Sequence, residues 1–454
     1  MKGVVRTVVV LGLVALAVGK IARNSADVAV DENDEKASRQ IPYILMEAEW
    51  NQLKADINTF WLLIMATLVF MMQAGFTLLE AGCIRSKNIV NLLFKNFMDV
   101  CMGAFAFYLI GFGFAFGIEG NSFIGAEFFA LHEVDYGYNE DATFASWFFQ
   151  FTFAATAATI ASGSMAERTQ ITAYMIFTFV TISFTYPVVV HWVWSGTGWL
   201  GAFNDDPLIS DFGYIDFAGG VVVHVTGGLS GLVGTLCLGP RLGRFDNDGP
   251  KPQGHNIVFV AQGTILLWFG WYGFNPGSTL QATDFGAQVA SLCAVTTTLS
   301  CIFACLTALF MTTVIDRKMD LALVLNGALA GLVSITAGCA VVDTWAAVIA
   351  GIIGGGIYYG SSKLLLLLKV DDPIDAFAVH GLNGMWGAFF IGLFASESRT
   401  LAAYPNRIVP GKTSYDHGLF MGGGGRQLAV QIVGIVTITA WVAFLTASMF
   451  IPLK

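Results

Sequence analysis

Apolar residues in this chain run in long blocks instead of alternating with polar ones, and short glycine-rich or charged connections separate the blocks. A helix needs about 20 mostly apolar residues to cross a bilayer. Eleven blocks meet that length, at 58–83, 88–117, 143–165, 169–196, 216–239, 255–275, 283–312, 320–338, 341–365, 374–395 and 425–452. The pattern predicts an all-α membrane protein with eleven transmembrane helices.

The connections sort by charge. The odd-numbered ones hold Arg85 and Lys87, then Arg168, then Arg241, Arg244 and Lys251, then Arg317 and Lys318, then Lys363 and Lys369. The second, fourth, sixth and eighth (118–142, 197–215, 276–282, 339–340) hold neither Lys nor Arg. Cytoplasmic connections carry the excess of basic residues. A multi-pass cell-membrane protein is therefore expected, with its N-terminus outside and its C-terminus in the cytoplasm. The tenth connection, 396–424, runs against this rule with Arg399, Arg407 and Lys412, and the other connections outweigh it.

The first 20 residues, MKGVVRTVVVLGLVALAVGK, have a basic start, a short apolar core and small residues. They read as a signal peptide over 1–23, with an uncleaved anchor as the alternative. Residues 24–56 turn polar and acidic and are expected outside, ahead of a transmembrane domain over 57–454.

Composition narrows the class. The chain is 55% hydrophobic and 12% charged, whereas soluble domains carry about 25% charged residues. Its 51 glycines and 38 phenylalanines suit closely packed membrane helices. The net charge of −9 lies in the loops, and no basic patch interleaved with aromatics points to nucleic acid. The seven cysteines form no CxxC pair and read as packing residues. The acidic loops of the second and fourth connections either draw small cations to the outer face or are simply solvated.

Two histidines stand out against this apolar background. His224 lies in DFAGGVVVHVTGG (216–228) and His380 in DAFAVHGLNG (375–384). Ionisable groups inside a membrane segment are costly and normally face an interior cavity. Asp216 and Asp375 precede them and are expected to cap the starts of their helices. Spans 5 and 10 run in opposite directions, so the two aspartates start on opposite faces. That is the arrangement expected of inverted repeats, spans 1–5 and 6–10, with span 11 as a brace. Two membrane histidines would also suit axial ligation of haem b, but no second redox motif accompanies them. Glu80, Lys95, Asn96 and Asp99, near the cytoplasmic ends of spans 1 and 2, read as a structural polar network. Glu167 and Arg168 are expected to pair or cap locally, His191 to be structural, and Trp271 and Tyr272 to serve packing.

Dispersed motifs add a resemblance. MMQAGFTLLEAGCIRSKN (71–88), KNFMD (95–99), FFQFTFAATAATIASGSMAER (148–168), HWVW (191–194), DFAGGVVVHVTGGLSGLVG (216–234), WYGFNPGS (271–278), LNGALAGLVSITAGC (325–339) and VDDPIDAFAVHGLNGMWG (370–387) together resemble the ammonium transporter family (Amt/Mep/Rh) over 58–452. Trp194 favours the Amt branch. The resemblance implies eleven helices per subunit in a homotrimer, each subunit with its own pore. It implies twin pore histidines at His224 and His380, and a pair of stacked phenylalanines, Phe153 and Phe274, closing the outer mouth. It also implies an external ammonium-binding site of Phe153, Trp194 and Ser278, supported by the buried acid Asp216. Asp216 is either a direct proton acceptor or a buried cap acting electrostatically. No enzymatic turnover, catalytic residue, metal or cofactor is implied.

The family's cytoplasmic tail, which commonly takes part in gating and in binding a PII-type signalling protein, follows span 11. This sequence stops at Lys454. Either regulation by that tail is absent or a C-terminal domain lies beyond the sequence. The second case keeps open an ammonium sensor, with the same fold and binding site and a signalling domain that reads occupancy.

Overall fold

The computed structural model describes residues 32–134, 143–246, 248, 251–408 and 410–453. The signal segment expected over 1–23 lies outside the described residues. The chain divides into two compact units at Asp56 and Ile57. Within the first, residues 32–56 are helical and form the opening part of α1 (Glu32–Phe70). This stretch, expected as a polar external segment, is rich in Glu, Lys, Ala and Gln, which favour helix. Gln52 Nε2 adds a one-turn bond to Asp56 Oδ1 at 3.1 Å.

The second unit is helical throughout its spans. After Met71 the first span continues as α2 (Met72–Cys83). There follow α3 (Ser86–Phe116), α4 (Phe144–Ser164), α5 (Ile171–Trp194), α6 (Gly220–Leu238), α7 (Ile257–Gly277) and α8 (Gly286–Val314). The remainder are α9 (Leu321–Thr336), α10 (Thr344–Leu367), α11 (Phe377–Phe394) and α12 (Arg426–Leu453). Each of the eleven apolar blocks is thus helical. Among the described residues, nine helical stretches are long and apolar enough to cross a membrane. Of the other two, α9 is apolar but has 16 residues. The 24-residue α10 has its hydropathy diluted by the glycines and serines of GIIGGGIYYGSS. The protein is a helical membrane protein. Its strand content among the described residues is one two-residue hairpin, Gly120–Asn121 with Ile124–Gly125.

Caps set several helix starts. Thr143 and Ser146 form a reciprocal capping box at α4, Asn256 accepts from Val258 and Phe259 at α7, and Asp320 accepts from Leu323 at α9. Four turns widen to π-helix: Phe107–Gly111, Thr181–Thr185, Gly220–Val225 and Phe377–Leu382. A π turn inserts one residue and rotates the side chains that follow it, and such turns concentrate at functional positions. The last two carry His224 and His380.

The connections gather on two faces. On one, Glu167 accepts from Arg85 Nε (2.8 Å) and Arg241 Nη1 (2.6 Å). Asp371 is held there by Arg241 through Nε (2.8 Å) and Nη2 (2.9 Å), with Arg244 at 3.2 Å. Burial works against the charge on Glu167, yet bonds from Arg85, Arg241 and Asn88 hold its carboxyl below the usual range. Asp371 is lowered in the same way, by Arg241 above all, against the same burial. The first, third, fifth and ninth connections therefore meet. Glu167 does not pair locally as expected; its φ of 70° turns it out of the helical path toward arginines on two other connections.

On the second face, Arg399 pairs with Asp343 (2.9 Å) and Lys412 with Asp211 (2.5 Å). Arg407 donates to the carbonyls of Asn204 (2.6 Å) and Asp211 (3.0 Å). These are the three basic residues that broke the charge rule. Each is engaged by the fourth connection or by Asp343, the residue just before α10, so the tenth connection shares their face.

Candidate functional site

The site is built from the start of α6 inward. Asp216 is buried, and its carboxylate accepts four backbone N–H bonds. Oδ1 takes Gly219 (3.0 Å) and Gly220 (2.6 Å), and Oδ2 takes Val221 and Val222 (both 2.8 Å). These are the donors a helix start leaves unpaired. Gly219, at φ 92°, supplies the left-handed turn that points them at one carboxylate. The expected cap is therefore in place. The backbone carbonyl of Asp216 accepts Trp194 Nε1 at 2.8 Å, which fixes the indole.

From Trp194 a column of rings descends. The indole meets Phe153 edge-on, with centroids 5.9 Å apart at 77°. Phe153 stacks on Phe274 at 4.0 Å and 21°. Phe274 stacks on His224 at 5.3 Å, and His224 on His380 at 5.2 Å. Phe76 closes the far end against His380 at 6.1 Å. Ser278, one turn beyond Phe274, donates Oγ–H to the Phe274 carbonyl at 2.8 Å, which leaves its lone pairs free to accept. The structure thus brings Trp194, Phe153, Phe274, His224 and His380 into one unbroken series of ring contacts. It ties Asp216 and Ser278 to that series, through Trp194 and Phe274 respectively.

The two imidazoles meet through Nδ1, 3.2 Å apart. Two donors cannot face each other, so one ring donates its Nδ1–H into the lone pair of the other. Both rings are buried, and His224 Nε2 has no hydrogen-bond partner within the protein. Such a pair offers donor and acceptor together without carrying charge.

Two glycines let the histidine helices approach. A Cβ on Gly228 would lie 2.5 Å from the Gly381 nitrogen, and one on Gly384 would lie 2.3 Å from the Gly220 oxygen. Gly228 and Gly384 each stand four residues after a histidine, so the contact is reciprocal between α6 and α11.

The acid that precedes His380 departs from expectation. Asp375 does not cap α11; its Oδ2 accepts from Tyr358 Oη (3.1 Å) and Ser362 Oγ (2.8 Å). Asp372 caps instead, with Oδ2 accepting the Phe377 N–H at 2.9 Å. Asp372 precedes His380 by eight residues, the spacing of Asp216 to His224. Trp271 does more than pack between helices. Its indole stacks on His224 at 5.2 Å and 18°, and its Nε1 donates to Thr336 Oγ1 at 3.0 Å. The signal was present in WYGF, where positions 271 and 274 share a helix face. His191 is structural as expected, its ring nitrogens lying 3.0 and 2.9 Å from the carbonyls of Ala115 and Asn121.

Similarity to known proteins bears on this geometry. Residues 60–454 match the model described as Ammonium Transporter Family. That span contains the whole column. The chain belongs to the ammonium transporter family. It is 43% identical over 422 residues to ammonium transporter 1 member 3 of Solanum lycopersicum, covering 90% of each chain. Among solved structures it is similar to one titled Sensor Amt Protein (TM-score 0.78, 30% identity, 89% of this chain and 94% of that one). Mep2 of Saccharomyces cerevisiae is similar at TM-score 0.76, with 30% identity and 86% of each chain covered. In this member of the family the histidine pair and the stacked phenylalanines lie inside the helical bundle, each on a separate helix.

Proposed function

We propose that this chain carries ammonium across a membrane as ammonia plus a separately moving proton. One observation carries the reading: a stacked pair of buried phenylalanines sits directly against a buried, hydrogen-bonded pair of histidines. The reading takes all eleven helices as spans, arranged as inverted repeats and assembled as a homotrimer with one pore per subunit. The arginine-rich face is cytoplasmic, which leaves the N-terminus outside. The reciprocal contacts of Gly228 and Gly384, and the matched spacing of Asp216 and Asp372, support the inverted repeat.

Potassium and ammonium are close in size and charge, so selectivity must use what potassium lacks: N–H donors and a removable proton. Outside, Phe153 and Trp194 attract a cation through their ring faces, worth about 0.5–2 kcal/mol. Ser278 accepts a hydrogen bond that ammonium alone can give. Asp216 adds negative potential near the site, its own charge shared among four backbone donors. Below the phenylalanines the path is apolar, and a bare ion entering it pays a large desolvation cost. Ammonium therefore leaves its proton behind and crosses as ammonia. At the histidines ammonia meets both a donor and an acceptor, and the shared Nδ1 contact gives a proton a route between the rings.

The test is ammonium-evoked current from proteoliposomes on a solid-supported membrane, with His224→Ala as control. A saturable current lost in the variant supports the reading; a wild-type chain that binds ammonium without current refutes it. That second result would favour a sensor, a reading supported by the similarity to a structure titled Sensor Amt Protein. A PII-type protein or a C-terminal signalling domain would then read the cytoplasmic face.

A further inference from the structure

A second cluster of ionisable groups lies beside the column and takes no part in the mechanism above. Glu80 on α2 is fully buried, as are Lys95 and Asp99 on α3 to within a few per cent. Glu80 Oε2 accepts from Ser162 Oγ (3.0 Å) and Asn96 Nδ2 (3.2 Å), with Lys95 Nζ at 3.6 Å. Lys95 Nζ donates to the Ser162 carbonyl (3.0 Å) and to its Oγ, and lies 4.7 Å over the Tyr174 ring. Asp99 Oδ1 accepts from Thr178 Oγ1 (2.6 Å), and its Oδ2 lies 2.9 Å from Thr159 Oγ1, whose one hydrogen is shared with the Ala155 carbonyl and Gln73 Oε1. Glu80 Oε1 has no hydrogen-bond partner in the protein.

The charges do not balance. Two carboxylates face one ammonium, which leaves one negative charge in the membrane interior, where an uncompensated charge costs several kcal/mol. A single proton removes it. Asp99 has a short bond from Thr178 on Oδ1 and a second hydroxyl, that of Thr159, beside Oδ2, and is suited to stay ionised. Glu80 has one oxygen satisfied and one bare, and a bare buried carboxylate oxygen is the more costly to leave charged. The charged groups facing Glu80 from the surrounding helices are Lys95 and Asp99; α4 contributes Ser162 and α5 contributes Tyr174 and Thr178.

The cluster also adjoins the column. Phe76, one turn before Glu80 on α2, packs against His380. A Cβ on Gly163 would lie 3.5 Å from the Glu80 carboxyl carbon and 1.9 Å from Ile374 Cδ1. Glu80 and the chain entering the His380 π turn are therefore neighbours across a residue that has no side chain.

We propose that Glu80 is an exchangeable proton site on the far side of His380 from His224, with Lys95 and Asp99 fixing its charge. The inference rests on the transport reading above. Arriving ammonia takes the Oε1 proton: the O–H bond breaks, an N–H bond forms, and the electron pair stays on the carboxylate. Ammonium leaves, and Lys95, Asn96 and Ser162 hold the carboxylate. The proton stripped from the incoming ammonium then restores the acid through the histidines, so each cycle closes with no net change in the protein.

Infrared spectroscopy and current test this together. Wild-type protein at neutral pH should show a carboxylic-acid C=O band that shifts in D2O, is lost in Glu80→Gln and is kept in Asp99→Asn. Glu80→Gln should lower the ammonium-evoked current about a hundredfold, the scale of a lost general acid. A wild type without that band, or a Glu80→Gln protein with undiminished current, overturns the proposal. If Glu80→Gln does not assemble, Glu80→Asp should move the band and lower the current, and an unmoved band overturns it. A wild type that gives the band but no current refutes the transport reading, and with it the exchange step, while leaving the protonated acid established.

Discussion

Asp216→Asn separates a capping role from a proton-accepting one. The wild-type carboxylate satisfies four buried N–H groups, two on each oxygen. Asparagine keeps one oxygen and turns an NH2 toward the other two donors, so at least two backbone N–H groups lose their acceptor. Each lost bond to a charged acceptor costs about 1.5–3 kcal/mol, so the loss is about 3–6 kcal/mol. The cost falls at the turn that sets His224 and holds Trp194, so the ring column should loosen as well. The assay is the apparent melting midpoint of detergent-solubilised protein, read beside the ammonium-evoked current. A clear drop in the midpoint together with lost current is expected. Lost current at an unchanged midpoint would refute the reasoning, because it would make Asp216 a chemical participant whose four bonds stabilise little.

Other outcomes follow from the same geometry. Gly228→Ala and Gly384→Ala each drive a methyl into the partner helix backbone and should cost about 1–3 kcal/mol, seen as a lower midpoint and a reduced current in both. Trp194→Leu removes the better ring of the outer site while leaving the histidines in place. The half-saturating ammonium concentration should rise by roughly 2- to 30-fold, the equivalent of the lost cation–π energy, with the maximal current less affected. Glu167→Ala leaves Arg85 and Arg241 without their shared acceptor and should cost about 3–5 kcal/mol. Because Glu167 and Asp371 titrate below the ordinary carboxylate range, their stabilisation is full above about pH 5. It is lost as pH falls through their folded values. Wild-type protein should therefore lose stability on acidification, and Glu167→Gln should show a smaller loss.

The fold was legible because membrane burial leaves a simple signature. Each apolar block became helix, and the alternation of basic connections matched the grouping of Glu167, Asp371 and their arginines on one face. The exception was legible only in space. Arg399, Arg407 and Lys412 look like cytoplasmic charges in a one-dimensional count, yet each is engaged by groups of the opposite face. A basic residue tied down by another connection no longer reports on orientation. The π turns were not foreseen either, since one extra residue in a helical turn leaves no mark on a pattern of apolar positions.

The acids that precede the two histidines show what spacing alone can and cannot decide. Asp372 and Asp375 both precede His380, and the nearer one was the natural choice for a cap. What selects between them is the direction of the backbone N–H groups at the start of α11. Asp375, at φ 58°, is turned toward Tyr358 and Ser362 on α10, which leaves the Phe377 N–H to Asp372. The eight-residue interval then matches the one from Asp216 to His224, but the match is incomplete. Asp216 accepts four N–H groups through both oxygens, whereas Asp372 Oδ1 makes no well-formed hydrogen bond and meets the Ala376 N–H and the Ser164 hydroxyl only loosely. A capping acid with a loosely held oxygen has less of its charge committed to the helix. Asp372→Asn, with its oxygen toward Phe377 and its NH2 in place of Oδ1, should therefore cost less than Asp216→Asn, by about the two charged-acceptor bonds it does not break, or roughly 3 kcal/mol or more. Equal losses in the two melting midpoints would mean that the second acid is held as tightly as the first, and the asymmetry between the two caps would have to be abandoned.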